Sequence, residues 1–448
     1  MNITVAGAGA GKTTKMAKDV LEYSKMTDNK KYIFVITFTN SACNKIKEEL
    51  KKRNGTIPQR IKVMTIHSFL LQQFIFPFYH LVYPQKFKSV SVINLPTNPM
   101  YKNNKIKELK KLEMIHVKEI TSEAQYLICG KSNDNKKIKE KRKNIINLLS
   151  KYIDSIYIDE AQDIDEKCKF VLSELEKHNI IINLIGDPKQ DLRGRNVFKK
   201  IVDEQKDANF ININYRCPIE HVTFSNKYVE NKQQQNSIKI GGNINFIFED
   251  DINLNEYMSE FAFGLQYIYQ KNKRFVFNDN VQDNSSLTHE LKIIVNETEL
   301  SNIKKETTLY FLLSETQKSI KTNNDKKLII KAIERRLDYK LNNKQWAKLH
   351  EAMETFEKSI NDYDEQGIIV QSIDKVKGLD NENCLFIISN ELFPYLVGLK
   401  KENNKMNNYL YVGLTRSKEN LTILITNEVV DKYGKKYVKE KIDYILDN

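Results

Sequence analysis

Residues 1–14 read MNITVAGAGAGKTT, a short apolar run that gives way to glycines and then to Gly-Lys-Thr. This order predicts a strand, a phosphate-binding loop and a helix over about residues 13–24. In such a loop backbone N–H groups surround phosphate oxygens, Lys12 reaches the β- and γ-phosphates, and the Thr13 hydroxyl binds Mg²⁺. Ala6 stands where the pattern G-x-x-x-x-G-K-[ST] has its first glycine, so a small-residue loop that binds nothing is the alternative. The residues expected to form the phosphate site are Ala6, Gly7, Ala8, Gly9, Ala10, Gly11, Lys12, Thr13 and Thr14.

The length and charge of the chain bound its possible functions. Its 448 residues are enough for two or three domains, each with a hydrophobic core. Lys and Arg number 71 against 58 Asp and Glu, which leaves a net charge of +13. A basic chain favours a polyanionic partner such as nucleic acid, although a basic surface also serves solubility alone.

Cysteine usage and hydropathy indicate a cytoplasmic protein. The five cysteines, Cys43, Cys129, Cys168, Cys217 and Cys384, are far apart and form no C-x-x-C pair. They are therefore expected to be free thiols in a reducing compartment. No apolar run approaches the length of a membrane span, and the phosphate loop occupies the place of a signal peptide, so we expect neither membrane insertion nor export.

Two further strands are predicted to end in polar or aromatic residues. Residues 32–37 (YIFVIT) form a β-rich run that is followed by Phe38 and small polar residues. Residues 63–69 (VMTIHSF) bring His67 to the same sheet edge. Ligands of parallel α/β sheets bind at the carboxyl ends of the strands, and an exposed aromatic ring there can stack on a base. The alternative is that Phe38 is simply a core residue.

Residues 70–156 differ in composition from the rest of the first half. They are aromatic and proline-containing at first and then rich in lysine, with seven basic residues against two acidic ones between residues 131 and 143. This charge run predicts a helix of an inserted subdomain. Its basic face either contacts nucleic acid or is only solvated.

Residues 155–163 (SIYIDEAQD) predict a strand that ends in paired carboxylates. With a phosphate loop in the same sheet, Asp159 would hold Mg²⁺ and Glu160 would orient and deprotonate the attacking water. A further strand, residues 180–185, precedes GDPKQ and brings the amide of Gln190 beside the expected position of the γ-phosphate.

Eight segments in order then resemble the helicase motifs of the UvrD/Rep branch of superfamily 1. They are GAGAGKTT, TFTNSA, TIHSF, IDEAQD, GDPKQ, NYRC, QSIDKVKGLD (371–380) and YLYVGLTRS (409–417). The resemblance implies an α/β fold of two RecA-like P-loop domains, with parallel sheets flanked by helices and with ATP and Mg²⁺ between the domains. It also implies 3′→5′ movement on single-stranded DNA or on DNA with a single-stranded tail.

The resemblance also implies roles for individual residues around the nucleotide. Gln190 would sense the γ-phosphate and Tyr215 would stack on adenine. Arg216 and Arg416 would act as arginine fingers from different domains, so that hydrolysis depends on domain closure. Asp380, which stands where the family has glutamate, would contact the ribose.

By the same resemblance Phe38, Asn40 and His67 line the track of the single strand. The chain also departs from the family pattern. The sequence 191–194 (DLRG) follows GDPKQ directly, so the base-stacking aromatic residue of that motif is missing. Asp374 replaces a histidine of the QSIDKVKGLD motif, and the residues before Ala6 leave no room for the glutamine that reads adenine.

The predicted domain organisation follows the motifs. Residues 1–69 and 155–225 form the first RecA-like domain, and residues 70–154 form a basic helical insertion in it. Residues 226–317 and 368–448 form the second, with a reduced helical insertion at 318–367. Within the second domain, residues 253–270 have helical apolar spacing, and residues 308–317 (TLYFLLSETQ) resemble the first strand of the family's second domain.

The functional expectation is an ATP-dependent single-stranded DNA motor. With its small second insertion the chain resembles the compact helicase-like subunit of the Gabija anti-phage system, which implies a partner subunit with ATPase and nuclease domains. A DNA-repair helicase is one alternative. An ATP-switched DNA-binding subunit that hardly unwinds is another, and the missing aromatic residue after GDPKQ favours it.

Overall fold

The computed structural model describes residues 1–27, 30–96, 98–205, 207–277, 285–300, 302–322, 325–364 and 368–447. The described strands form two six-stranded sheets and two small two-stranded ones, and all their pairings are parallel. The strands are β1 (Asn2–Ala6), β2 (Tyr32–Thr37), β3 (Ile61–Thr65), β4 (Ser89–Ser91), β5 (Met114–His116), β6 (Ile153–Ile158), β7 (Ile181–Gly186), β8 (Asn209–Ile211), β9 (Ile213–Asn214), β10 (Asn236–Ser237), β11 (Asn243–Phe248), β12 (Leu265–Ile268), β13 (Phe275–Phe277), β14 (Ile368–Ser372), β15 (Asn381–Ile388) and β16 (Ser417–Ile425).

Helices connect and cover these strands. The α-helices are α1 (Lys12–Met26), α2 (Asn40–Asn54), α3 (Ile66–Leu70), α4 (Phe76–Val82), α5 (Pro99–Lys111), α6 (Ile120–Cys129), α7 (Lys136–Tyr152), α8 (Glu166–Glu176), α9 (Val197–Glu204), α10 (Ile219–Asn226), α11 (Leu254–Glu260), α12 (Ser285–Glu297), α13 (Asn302–Lys321), α14 (Lys326–Leu337), α15 (Asn343–Asp364), α16 (Ile373–Val376), α17 (Phe393–Leu396), α18 (Lys405–Leu414), α19 (Asn427–Tyr433) and α20 (Lys435–Asp447). Short 3₁₀ turns and one π-helical turn, Leu71–Ile75, complete the described elements.

The first sheet has the strand order β3-β2-β6-β7-β1-β8. Its inner strands are apolar runs because both faces are covered by helices, and all six residues of β6 are buried. The predicted strands over residues 32–37, 155–158 and 180–185 are confirmed as β2, β6 and β7. Since neighbouring parallel strands end at one sheet edge, the residues after β1, β7, β6, β2 and β3 lie side by side there.

The second sheet has the order β11-β16-β15-β12-β14-β13. Its long central strands β15 and β16 contain mostly buried residues, and a separate hydrophobic core covers them. The motif at 371–380 follows β14, and the motif at 409–417 joins α18 to β16. The predicted fold class, an α/β protein with two parallel RecA-like sheets flanked by helices, is confirmed.

The predicted helix over residues 253–270 is wrong in its second half. Helix α11 ends at Glu260, and β12 follows as a strand between β14 and β15. Gly264 lies directly before this strand, where a Cβ atom would come within 2.1 Å of Asn381. The apolar side chains of β12 are buried because the strand lies inside the sheet.

The predicted strand at residues 308–317 is also wrong, because these residues belong to helix α13. Buried Leu312, Thr316 and Ile320 follow one another at helical spacing. Leu312 and Ile320 belong to a hydrophobic cluster shared by α12, α13, α14 and α15. The helical segment therefore begins at Ser285 and is longer than the predicted insertion at 318–367. The predicted end of that insertion, Gly367, lies outside the described residues.

The basic segment of the first half is largely helical and shares a core with the first sheet. Side chains of α3, α4, α6 and α7 belong to the same hydrophobic cluster as those of the sheet. The charge run at 131–143 leads into α7, whose apolar face is buried. Arg142 of this helix is buried too and pairs with Asp134, so the run is not purely a solvated face.

Two expectations from composition can be compared with the structure. All five cysteines are free thiols, as predicted. No helix among the described residues is long and apolar enough to cross a bilayer.

Candidate nucleotide site

The phosphate loop connects β1 to α1 at the edge of the first sheet. Gly9 and Gly11 have φ angles of 69° and 71°, a left-handed conformation that favours glycine. Ala6 is the last residue of β1 and has no such requirement, so an alanine is accommodated there. The ammonium of Lys12 donates to the carbonyl oxygens of Ala6 (3.3 Å) and Gly7 (3.2 Å) and so lies inside its own loop.

Two carboxylates follow β6 directly beside this loop. Thr13 Oγ1 donates to Asp159 Oδ2 at 2.9 Å, and the backbone N–H of Glu160 donates to Asp159 Oδ1 at 3.0 Å. Burial, together with the charge of Glu160, raises the pKa of Asp159 to about 7. Glu160 has a φ of 58°, a left-handed conformation that costs a non-glycine residue about 1–3 kcal/mol and is common at functional sites.

The pair of Thr13 and Asp159 fits a magnesium ion. A hydroxyl and a carboxylate oxygen are hard ligands of the kind that Mg²⁺ takes, and a buried carboxylate needs a cation nearby. Among the described residues there is no cluster of three or more His, Cys, Asp or Glu side chains that could hold a metal alone.

Glu160 belongs to a hydrogen-bond chain that runs to Gln190. Gln162 Nε2 donates to Glu160 Oε2 (2.5 Å), and its Oε1 accepts the backbone N–H of Asp187 (3.0 Å). Gln190 Nε2 in turn donates to Asp187 Oδ2 (2.8 Å). Burial acts to raise the pKa of Glu160, but the charges of Lys12 and Lys377 and the bond from Gln162 outweigh it and lower the pKa. Glu160 is therefore ionised at neutral pH.

The two predicted arginine fingers lie against one residue of the second half, Thr415. Arg416 is fully buried, and its guanidinium donates to the carbonyls of Val412 (2.8 Å) and Leu379 (3.1 Å) and to Thr415 Oγ1 (3.1 Å). Arg216 NH1 donates to the carbonyl of Thr415 at 3.3 Å. Burial and the neighbouring Arg216 lower the pKa of Arg416 to about 10, so it remains a cation.

Asp380 is the carboxylate that faces these cations. It pairs with Arg216 (2.9 Å) and with Lys418 (2.6 Å). Burial acts to raise its pKa, but Lys418, Arg216 and Arg416 outweigh it and lower the pKa. Asp380 thus faces three cations, and Arg416 also interacts with the charge of Glu160; guanidinium groups beside a phosphate loop favour an anion such as a phosphate group. Because Asp380 pairs with Arg216 here, a ribose contact stays a prediction.

Three residues that the sequence analysis did not single out hold the phosphate loop. Asn214 Nδ2 donates to the carbonyl of Ala8 (2.8 Å), while the hydroxyl of Tyr411 accepts the N–H of Ala8 (3.0 Å). Gln235 Oε1 accepts from Asn214 (3.3 Å) and Tyr411 (3.4 Å). Asn214 and Tyr411 stand inside quoted motifs, but no sequence signal points to Gln235.

Tyr215, the residue predicted to stack on adenine, is exposed beside the loop. Its backbone N–H donates to the carbonyl of Gly9 at 2.9 Å. Its ring lies 3.8 Å from where a Cβ atom of Gly11 would be. The side chain is 58% exposed, so the ring is available to a ligand at the loop.

The predicted nucleic-acid residues are only partly brought together. Phe38 and His67 line one cavity of about 340 Å³, together with Arg193, Arg195 and Lys118. Burial lowers the pKa of His67, against the charge of Asp165, so the ring is neutral at pH 7. Asn40 begins α2 and is exposed, but it is absent from the described residues that line the cavity.

An ion pair links this cavity to the second half. Asp163, which also lines the cavity, receives two hydrogen bonds from Lys377 Nζ, at 2.8 and 2.9 Å. Lys377 lies between α16 and β15 in the motif at 371–380. The phosphate loop and the cavity are thus both connected to the second half by direct contacts, through Tyr411 and Lys377.

Comparison with known proteins identifies both halves. Residues 1–194 match the family described as an AAA domain, and residues 245–425 match the viral superfamily 1 RNA helicase core domain. The chain carries superfamily 1 helicase-like domains. These helicase-like domains imply binding of a nucleoside triphosphate, usually with Mg²⁺.

Among 123 matching chains of solved structures is one entitled "Complex structure of Arterivirus nonstructural protein 10 (helicase) with DNA". The match has 9% identity and a TM-score of 0.40, and it covers 94% of this chain and 60% of that one. The chain thus spans less than two thirds of that protein's length. No curated protein sequence matches it.

The two helicase-like domains contribute different parts of the site. The first match contains the phosphate loop, Asp159, Glu160 and Gln190, whereas the second contains Arg416 and the other residues of α18. The segment 195–244 between the matches contributes Asn214, Tyr215, Arg216 and Gln235. The site is therefore composite, and a complete set of its residues requires both helicase-like domains.

Proposed function

We propose that this chain is an ATP-dependent single-stranded DNA translocase of the UvrD/Rep type, which moves 3′→5′ and hydrolyses ATP between its two RecA-like domains. The observation that carries the proposal is the meeting of two half-sites. The first half contributes a phosphate loop with its carboxylate pair. The second half contributes the buried guanidinium of Arg416, which has no carboxylate bonded to it among the described residues.

The chemistry follows from the residues beside the loop. Lys12 would exchange its bonds to loop carbonyls for bonds to the β- and γ-phosphates. Thr13 and Asp159 would hold Mg²⁺, whose charge, when it is bound, would help to neutralise the transferred phosphoryl group. Glu160 is ionised and would accept a proton from the attacking water, while Gln190, at the other end of the same hydrogen-bond chain, would sense the γ-phosphate.

Arg216 and Arg416 would supply positive charge to the transition state. Arg216 pairs with Asp380, so a γ-phosphate would compete with that carboxylate for the guanidinium. Because Arg416 comes from the second helicase-like domain, its approach to the phosphate depends on the relative position of the two domains. Repeated closing and opening is the mechanical step of the proposed motor.

The cavity lined by Phe38 and His67 is the proposed track for the single strand. Phe38 offers a ring for base stacking, and Arg193, Arg195 and Lys118 offer positive charge for the DNA backbone. Arg193 belongs to the segment 191–194 (DLRG), which follows GDPKQ directly and lacks the family's stacking aromatic. The bond from Lys377 to Asp163 at this cavity offers a route by which domain movement reaches the strand.

The domain division is part of the proposal. We propose that residues 1–69 and 155–225 form the first RecA-like domain with 70–154 inserted, and that 226–277 with 368–448 forms the second. The helices between Ser285 and Asp364 then form its insertion. We also propose an ATPase–nuclease partner and a role in anti-phage defence, on the resemblance to the Gabija subunit. The insertion in the second domain is longer than the sequence predicted, so its length does not support this resemblance.

The test of the proposed function is the ATP hydrolysis rate with single-stranded DNA, tailed duplex, blunt duplex or single-stranded RNA. We expect the single strand and the tailed duplex to stimulate hydrolysis most. Phe38→Ala should raise the DNA concentration needed for half-maximal stimulation about tenfold, because one base–aromatic stack contributes about 1–3 kcal/mol. The assay repeated with the products of neighbouring genes tests the partner.

The control is Phe170→Ala, which removes another aromatic side chain, exposed on α8 and outside the cavity. It should leave DNA stimulation unchanged. Equal stimulation by all four nucleic acids, or equal effects of Phe38→Ala and Phe170→Ala, would contradict the proposed single-strand track.

A further inference from the structure

Both backbone polar groups of Ala8 in the phosphate loop, its N–H and its carbonyl, are bonded to side chains from elsewhere in the chain. Its N–H donates to the hydroxyl of Tyr411, and its carbonyl accepts from Asn214. Tyr411 lies on α18 in the second helicase-like domain, whereas Asn214 ends β9. The contact with Tyr411 thus crosses between the two halves of the molecule, whereas the contact with Asn214 stays within the first half.

Gln235 completes the arrangement. It is buried against the loop so closely that a Cβ atom on Gly7 would lie 2.5 Å from its Cδ. Its Oε1 accepts from both Asn214 and Tyr411, and its Nε2 is buried without a hydrogen-bond partner among the described residues. The amide oxygen of Gln235 therefore fixes the side chains of Asn214 and Tyr411, which hold Ala8, relative to each other.

The same contacts fix the backbone of Arg216. Asn214 Oδ1 accepts the N–H groups of Arg216 and Cys217, both at 2.9 Å. A Cβ atom on Gly9 would lie 2.6 Å from Arg216 Cβ, so the loop and the arginine are in direct contact. On the other side, Thr415 Oγ1 donates to the carbonyl of Tyr411 while the carbonyl of Thr415 accepts from Arg216.

We propose that Asn214, Gln235 and Tyr411 are positioning residues. They hold Arg216 against the phosphate loop and make the position of the loop depend on the position of α18. We call these three residues the loop clamp. The inference rests on the proposed ATP hydrolysis but not on DNA, movement or a partner. The loop clamp contacts the backbone of Ala8 and packs against Gly7, and it acts on the reaction through Arg216.

The diagnostic variant is Tyr411→Phe, which removes one hydroxyl and keeps the shape of the ring. It leaves the N–H of Ala8 without its partner, and a lost buried hydrogen bond of this kind weakens an equilibrium about tenfold. We expect kcat for ATP to fall about tenfold and KM to change less than about threefold, because a guanidinium that is misplaced acts mainly on the transition state.

The measurement is single-turnover hydrolysis of radiolabelled ATP, which can follow slow variants, in the wild type and in Arg216→Ala. The fall caused by Tyr411→Phe should disappear in the Arg216→Ala background, because the residue through which the loop clamp acts is then missing. Tyr228→Phe is the matched control, since that hydroxyl donates to the backbone carbonyl of Leu396 away from the loop.

Gln235→Met gives a second test if Tyr411→Phe lowers the melting temperature, and it should show the same dependence on Arg216. An unchanged kcat in both variants would overturn the proposed role of the loop clamp. An equal fall in the hydrolysis rate in the wild-type and Arg216→Ala backgrounds would overturn it too. A wild type that hydrolyses no ATP would instead refute the proposed function, so the two failures are distinguishable.

Discussion

Replacing Arg216 with alanine is expected to slow ATP hydrolysis on the order of 10³-fold or more while it changes ATP affinity much less. A guanidinium that meets the transferred phosphoryl group stabilises mainly the charge of the transition state. Arg216 suits this test better than Arg416, which is fully buried and bonded to three groups of the second half. The measurement is kcat at saturating ATP together with a direct nucleotide-binding titration.

Arg53→Ala is the matched control for this experiment. Arg53 is exposed in the last turn of α2, where it pairs with Glu49 at 2.8 Å. Its removal should leave kcat unchanged. Equal losses of affinity and turnover in Arg216→Ala would show that the arginine only holds the nucleotide, and the assignment of a finger would be wrong.

Glu160→Gln is expected to leave ATP bound but to lower kcat about 10²- to 10⁴-fold, the usual effect of losing a general base. The amide is isosteric with the carboxylate and cannot accept the proton of the attacking water. Lys12→Ala should give the opposite pattern, with loss of nucleotide binding itself. Titration with a fluorescent ATP analogue separates the two results from the hydrolysis rate.

The control for the Glu160 variant is Glu49→Gln, the same change in the surface ion pair on α2. It should hydrolyse ATP at the wild-type rate. Turnover by Glu160→Gln within about threefold of the wild type would assign the base to another residue, because true general-base loss exceeds that by at least tenfold.

The sequence predicted the first sheet and its edge well because the relevant signals are local. The glycines of the loop, the apolar run before Asp159 and the strand before GDPKQ each lie within a few residues of the group they position. Parallel topology then brings the strand ends together, so Thr13, Asp159 and Glu160 could be named before their distances were known.

The second half was predicted less well because its local patterns are ambiguous. Four residues of β12 cannot be told from helix by periodicity, and the apolar run at 308–317 reads equally as a buried strand. Tertiary contacts decide both cases: β12 lies between two strands, and α13 packs in a four-helix cluster.

The residues that hold the phosphate loop escaped prediction for a different reason. Gln235 lies in a polar segment, KQQQNS, whose composition indicates only a surface loop. Its contacts with Gly7, Asn214 and Tyr411 join residues that are far apart in the chain. Only the folded arrangement of the two halves reveals that this glutamine is buried beside the loop.

The central claim is that ATP hydrolysis drives this chain along single-stranded DNA, and displacement of streptavidin from biotinylated oligonucleotides tests it most directly. The account predicts ATP-dependent displacement from the 5′ end, much slower displacement from the 3′ end, and neither with Glu160→Gln. DNA-stimulated hydrolysis with no displacement from either end would contradict it and would identify an ATP-switched DNA-binding subunit instead.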